Sequence, residues 1–173
     1  MKSSKWFRAG KIQNFESGQS LIEVLIALAA SVAVVSAIVV TVITSLSNAE
    51  FTKNQNLATQ YSRQGMEIVR QIAKNNWSNF LTYTNRDYCL NKDSTTLTVM
   101  TGLNCSLNID GIFDRKITII QSSLSPPSTY CTSSAEIVSS VSWSDSKCQA
   151  GNILCHEVKL RSCLADVNSV KAP

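Results

Sequence analysis

From position 20 to position 48 nearly every residue is apolar or small, and Glu23 is the one charge. Between Glu23 and Glu50 stand 26 residues without a charge. As an α-helix that stretch is about 39 Å long at 1.5 Å per residue. It exceeds the hydrocarbon core of a bilayer, about 30 Å, so the pattern predicts a membrane-length helix. The helical period continues beyond it. Phe51, Ala58, Tyr61, Gly65, Ile68, Val69 and Ile72 recur mostly at steps of three and four, with Lys53, Gln60, Arg63, Glu67, Arg70 and Lys74 on other faces. One helix over roughly 20–75 is predicted, apolar all round at first and amphipathic later, ending at Asn75-Asn76. Glu67 and Arg70, three apart, can pair weakly. Gly65 costs that helix about 1 kcal/mol relative to alanine, which points to close packing there.

Residues 76–173 change character and are rich in Ser, Thr, Asn and β-branched types. Alternation over 96–100, 113–119, 137–143 and 156–161 predicts four strands. Ser125-Pro126-Pro127-Ser128 and Gln149-Ala150-Gly151-Asn152 predict turns. No long helical pattern separates the strands, so the sheet should be antiparallel. The segment from Trp77 to about Asn108 reads as a loop, and Tyr83, Tyr88 and Tyr130 are expected to be packed. The fold class is therefore α+β, a long N-terminal helix packed on an antiparallel sheet of about four strands.

Composition and charge sharpen this picture. With 44% hydrophobic and 16% charged residues in 173, the chain is neither disordered nor a multi-span membrane protein. Of the net charge of +4, residues 1–18 carry +3 through Lys2, Lys5, Arg8 and Lys11 against Glu16. The remainder is almost neutral, which removes the main support for nucleic-acid binding. The same asymmetry keeps the N-terminus cytoplasmic and sends residues after about 48 outward. An ordinary signal peptide has an apolar core of about 7–15 residues, roughly half of this run. A plain signal anchor is compatible with both length and charge.

All the cysteines, Cys89, Cys105, Cys131, Cys148, Cys155 and Cys163, lie in the second half. An even count confined to one region fits two or three disulfides in an oxidising compartment. Proximity alone suggests Cys89 with Cys105 and Cys148 with Cys155. A zinc site from Cys148, Cys155, His156 and Cys163 is disfavoured. No pair has a zinc knuckle's short gap, and adjacent Cys155 and His156 would point apart on a strand. No phosphate loop, nucleophile elbow or metal-ligand pair is present. Neither an enzyme activity nor a cofactor or metal is expected.

A carboxylate inside the apolar run costs about 2.5–3.5 kcal/mol at a helix centre and less near an interface, so Glu23 should have a partner. The run Gly18-Gln19-Ser20-Leu21-Ile22-Glu23-Val24-Leu25-Ile26-Ala27-Leu28 resembles the processing signal of type IV pilins and pseudopilins. The resemblance covers residues 11–75. It implies a basic leader, 1–18, removed by a prepilin peptidase that cuts between Gly18 and Gln19 and methylates the new N-terminus at Gln19. Glu23, fifth in the mature chain, can neutralise that N-terminus in its own or an adjacent subunit, since a pair of opposite charges is less costly than either alone. The resemblance implies the intersubunit pairing, which sets the stagger during assembly. Two departures stand out. The family's first mature residue is most often phenylalanine or another apolar type, and here it is Gln19. Many major pilins carry a proline about twenty residues into the helix, and here none occurs before Pro126.

The run Gln64-Gly65-Met66-Glu67-Ile68-Val69-Arg70 and the segments at Phe113-Asp114-Arg115 and Val141-Ser142-Trp143 resemble minor pilins of the PilV or general-secretion I type. The implied layout is a leader (1–18), a transmembrane and filament-core half-helix (19–48), an amphipathic half-helix (49–75) and a disulfide-containing β domain (76–173). The implied partners are other pilin or pseudopilin subunits through 19–48, the peptidase/methyltransferase, a filament assembly platform and membrane lipid. The implied location is the cytoplasmic (inner) membrane, crossed once, and then a pilus or pseudopilus. The alternative is a signal-anchored extracellular binding module with no filament role.

Overall fold

The computed structural model describes residues 17–83, 85–121, 130–131, 135–152 and 154–166, with side chains from residue 20 onward. Most of the expected leader, 1–16, and the expected turn at 125–128 lie outside the described residues. Helix α1 runs Ser17–Asn75 and a short α2 runs Trp77–Phe80. The strands are β1 Arg86–Cys89, β2 Thr98–Val99, β3 Phe113–Gln121, β4 Ala135–Trp143 and β5 His156–Leu164. They form one antiparallel sheet in the order β2-β1-β3-β4-β5. The layout is α+β. The chain divides into two compact units, Met1–Asn48 and Ala49–Pro173, with the division inside α1.

Helix α1 stops where Asn75-Asn76 predicts. Asn76 leaves helical geometry at φ −154° and ψ 96°, and its side chain accepts the N–H of Asn79 at 2.8 Å. One asparagine thus ends α1 and caps α2, satisfying a donor that the first turn leaves open.

In the unit Ala49–Pro173 the buried line of α1 is Ala58, Ser62, Gly65, Met66, Val69 and Ala73. The predicted stripe lay slightly to one side, and Tyr61, Ile68 and Ile72 prove only half-buried. Small residues centre the contact because the sheet comes close. A Cβ on Gly65 would stand 2.9 Å from Ser139 Oγ and 3.2 Å from both Arg115 Cδ and Ile117 Cδ1. Met66, Val69 and Ala73 pack with Phe80, Tyr88, Ile117 and Ile137. Ala58 packs with Ile109, Phe113, Val141 and Trp143.

Strand β4 is the sheet's most buried element, with Ile117 opposite Ser139 and Phe113 opposite Trp143 in its register with β3. Strand β5 alternates half-buried and exposed residues and forms one edge. Its outward positions carry Glu157, Lys159 and Arg161, and such charges discourage edge-to-edge pairing with another chain.

Three expectations need correction. The segment 77–108 is not simply a loop, because it contains α2, β1 and β2. The predicted strand 96–100 is reduced to Thr98–Val99, both exposed and held by pairing with β1. Tyr130 is not packed away, being 67% exposed, with the guanidinium of Arg161 stacked 4.5 Å from its ring centre. Tyr88 is buried in β1 and Tyr83 is half-buried.

The cysteines form Cys89–Cys105, Cys131–Cys163 and Cys148–Cys155, with sequence separations of 16, 32 and 7. The two pairings suggested by proximity are present. Loop closure ranks their contributions, from about 3.7 kcal/mol for the longest loop to about 2.5 kcal/mol for the shortest.

Candidate functional site

The unit Met1–Asn48 consists, in its described part, of the first half of α1. Leu21, Ile22, Val34 and Val42 lie on different faces of it and all are exposed. The described helix is long and apolar enough to cross a membrane. Four of its hydroxyls turn back on their own backbone. Ser31 Oγ donates to the carbonyl of Leu28 at 2.8 Å, Ser36 Oγ to Val32 at 2.8 Å, Thr41 Oγ1 to Ala37 at 2.5 Å and Thr44 Oγ1 to Val40 at 2.8 Å. A helix in hydrocarbon needs this arrangement, since lipid offers no hydrogen-bond partner.

Glu23 is exposed and borders a shallow hollow with Ile22, Ile26, Ala27 and Ala30. Among the described residues it has no ion-pair partner. Gly18 and Gln19 fall in the first turn of α1, and the side chain of Gln19 lies outside the described residues. Gln19 and Glu23 are four apart and so share a helix face. A chain beginning at Gln19 would carry its amine at the positive end of the helix dipole, where a nearby carboxylate is favoured.

The unit Ala49–Pro173 has polar groups of another kind. Arg115 is fully buried on β3. Its guanidinium donates to the carbonyls of Leu90 at 2.9 Å, Asn91 at 2.7 Å and Tyr61 at 3.1 Å, and to Gln64 Oε1 at 3.1 Å. Burial pushes its pKa down to about 10, so it remains charged at neutral pH. Asp110 accepts from Lys92 Nζ at 2.7 Å and Tyr61 Oη at 2.9 Å. Those two bonds hold its carboxyl below the usual range, and the bond to Asp110 raises the Tyr61 phenol. Sequence reasoning gave neither Arg115 nor Ser62 a role. A charge and a hydroxyl on predicted core faces were the available signal.

Cys148, Cys155, His156 and Cys163 are not brought together as one set. Cys163 is bonded to Cys131. Asp145 takes its place beside Cys148, Cys155 and His156.

No family model, curated protein or solved structure matches the chain.

Proposed function

We propose that the chain is a structural subunit, a minor pilin or pseudopilin, of a type IV pilus-like filament. In this reading a prepilin peptidase removes residues 1–18, the new N-terminus at Gln19 is methylated, and the helix first anchors the subunit in the inner membrane. The outer domain faces away from the cytoplasm, and subunits then join through residues 19–48. No catalytic step belongs to this function. The observation that carries it is Glu23, a lone carboxylate on a self-satisfied apolar helix, five residues after Gly18 in a pilin-like signal. An unpaired charge at that depth is costly, while a pair of opposite charges costs far less. The new N-terminal amine is the partner the motif supplies.

The test is mass spectrometry of the mature protein from native membranes, without reduction. An N-terminus at Gln19, methylated or not, supports the reading. A chain still beginning at Met1 sinks it in favour of an anchored binding module. Replacing Gly18 with leucine should leave the chain uncut. Glu23→Ala should be cut normally and enter filaments poorly, and normal incorporation would remove the assembly role of Glu23.

A further inference from the structure

The loop between β4 and β5 carries a group of side chains that the filament reading leaves unused. Asp145 and Cys148 follow the end of β4, and Cys155 and His156 stand at the start of β5. One ligand-capable atom from each lies within 4.8 Å of the others. His156 Nε2 is buried and 3.1 Å from Asp145 Oδ2, yet no hydrogen bond of good alignment satisfies it. The ring is fixed by packing, with its centre 5.0 Å from that of Phe51 and 5.3 Å from that of Trp143. The backbone N–H of Asp145 points at Cys148 Sγ at 3.4 Å, a contact that favours a thiolate on that sulfur. The two sulfurs are bonded to each other, so they are not ligands as they stand.

Two sulfurs, an imidazole nitrogen and a carboxylate oxygen make a donor set suited to tetrahedral zinc. With metal–ligand lengths of about 2.0–2.3 Å, the ligand atoms stand about 3.3–3.8 Å apart. The present spacings need shifts of about 1 Å, apart from the sulfurs, which must part. We propose that Cys148–Cys155 is an exchangeable staple: once it is reduced, Asp145, Cys148, Cys155 and His156 bind one Zn²⁺ in its place. The reductant is a dithiol. It gives two electrons and two protons to the cysteine sulfurs and closes to its own disulfide. Both protons leave for water as the thiolates bind the metal.

This disulfide is the best suited to exchange. Its loop is the shortest, with a separation of 7 against 16 and 32, so it constrains the unfolded chain least. Both its cysteines are half-buried, while each of the other bonds has one buried sulfur, at Cys105 or Cys131, although Cys163 is exposed. The short loop and the neighbouring Asp145 and His156 single out Cys148–Cys155. The metal would join the same two ends of the hairpin and leave its turn intact. There the N–H of Asn152 donates to the carbonyl of Gln149 at 3.0 Å, and Gly151 sits at φ +97°. The sequence pointed away from this site for two reasons. Its fourth ligand, Asp145, comes from the other side of the hairpin. Cys155 precedes β5, so strand alternation does not separate it from His156. The inference stands apart from the filament proposal.

The test uses the full chain in detergent with Co²⁺ as the probe. The disulfides are opened by a phosphine, the excess is removed, and thiolate-to-cobalt charge-transfer absorption is titrated. The expected result is one Co²⁺ per chain after reduction, none before, and displacement by Zn²⁺. His156→Ala and Asp145→Ala should each weaken binding by at least about tenfold, the scale seen even for outer-shell partners. A Cys131→Ser/Cys163→Ser pair should bind as the parent does. If full reduction unfolds the chain, a partly reduced sample is used in which peptide mapping shows only Cys148 and Cys155 open. Absence of cobalt binding in that sample overturns the proposal, as does binding indifferent to His156→Ala.

Discussion

Along 20–48 of α1 the hydroxyls of Ser31, Ser36, Thr41 and Thr44 return to carbonyls of their own helix, and apolar side chains are open on every face. Along 49–75 the buried hydroxyl of Ser62 leaves the helix and donates to the carbonyl of Ser139 in β4 at 2.8 Å. There the small residues Ala58, Gly65 and Ala73 sit on the buried face. One continuous helix therefore solves two solvation problems. Where no neighbour offers polar partners, it satisfies itself. Where a sheet offers them, it spends its small residues on close approach and its polar atoms on cross-links.

The sharpest way to break the second arrangement is Arg115→Met. This keeps a long side chain and removes the donors serving Leu90, Asn91 and Tyr61. Leu90 and Asn91 keep a second donor each, from Asn108 Nδ2 and the Ser94 N–H, so the loss is that of bonds made by a charged group, about 1.5–3 kcal/mol each. The expected loss is about 3–5 kcal/mol, read as the urea midpoint of the full chain in detergent by tryptophan fluorescence. Ser36→Ala, in the first half, should move that midpoint hardly at all. Equal effects of the two would refute the contrast.

The first half is tested by Val35→Lys. In the middle of the apolar run a lysine should disfavour membrane insertion by about 2.5–3.5 kcal/mol. Gln60→Lys, on an exposed face of the second half, should leave insertion unchanged. The readout is the fraction resisting alkaline extraction from membranes. If Val35→Lys inserts as well as the parent, the first half does not sit in hydrocarbon.

The two halves were unequally legible in the sequence. Helix α1 and its end at Asn75-Asn76 could be read because periodicity is local and asparagine signals a helix end by its own chemistry. Strands β3, β4 and β5 were legible from alternation, though each extends a little beyond the predicted range. Strand β1 was not, because Arg86-Asp87-Tyr88-Cys89 buries only Tyr88 fully and owes its conformation to pairing with β3. Asp87 is held there by Thr118 Oγ1 at 2.6 Å and Lys116 Nζ at 3.2 Å, partners about thirty residues away that no local window contains. In the candidate site, the roles of Gly18, Gln19 and Glu23 are proposed from a motif. Asp145 escaped notice because only the hairpin brings it to His156.

Gly65 sharpens the account of close approach at a smaller scale. Leucine there would collide with Ser139, Arg115 and Ile117, at an expected cost of about 1–3 kcal/mol for overpacking. Leucine's better helix propensity, worth under about 1 kcal/mol, offsets part of this. A urea midpoint at or above the parent's would mean that the helix can stand further from the sheet than it does.

The smallest effect concerns the other face of β3, where α1 does not reach and a disulfide-held loop covers the strand instead. Asp114 is buried there and accepts the N–H of Cys105 at 2.7 Å through Oδ1. Burial pushes its carboxyl pKa up, against the opposing pull of the Cys105 and Leu107 N–H groups and the Lys116 charge. The folded chain therefore holds this proton more tightly than the unfolded chain does. Its contribution is fully favourable below the unfolded carboxylate value of about 3.9 and is lost as pH rises through the raised folded value. Asp114→Asn keeps an oxygen for Cys105 and removes the titration. The variant should be slightly more stable than the parent at neutral pH and equal to it in acid, by urea midpoints at the two pH values. A variant weaker at neutral pH would show that the ionised carboxylate's hydrogen bonds outweigh its burial. This face would then hold its loop by charge, where the face under α1 relies on small residues and the bonds of Arg115.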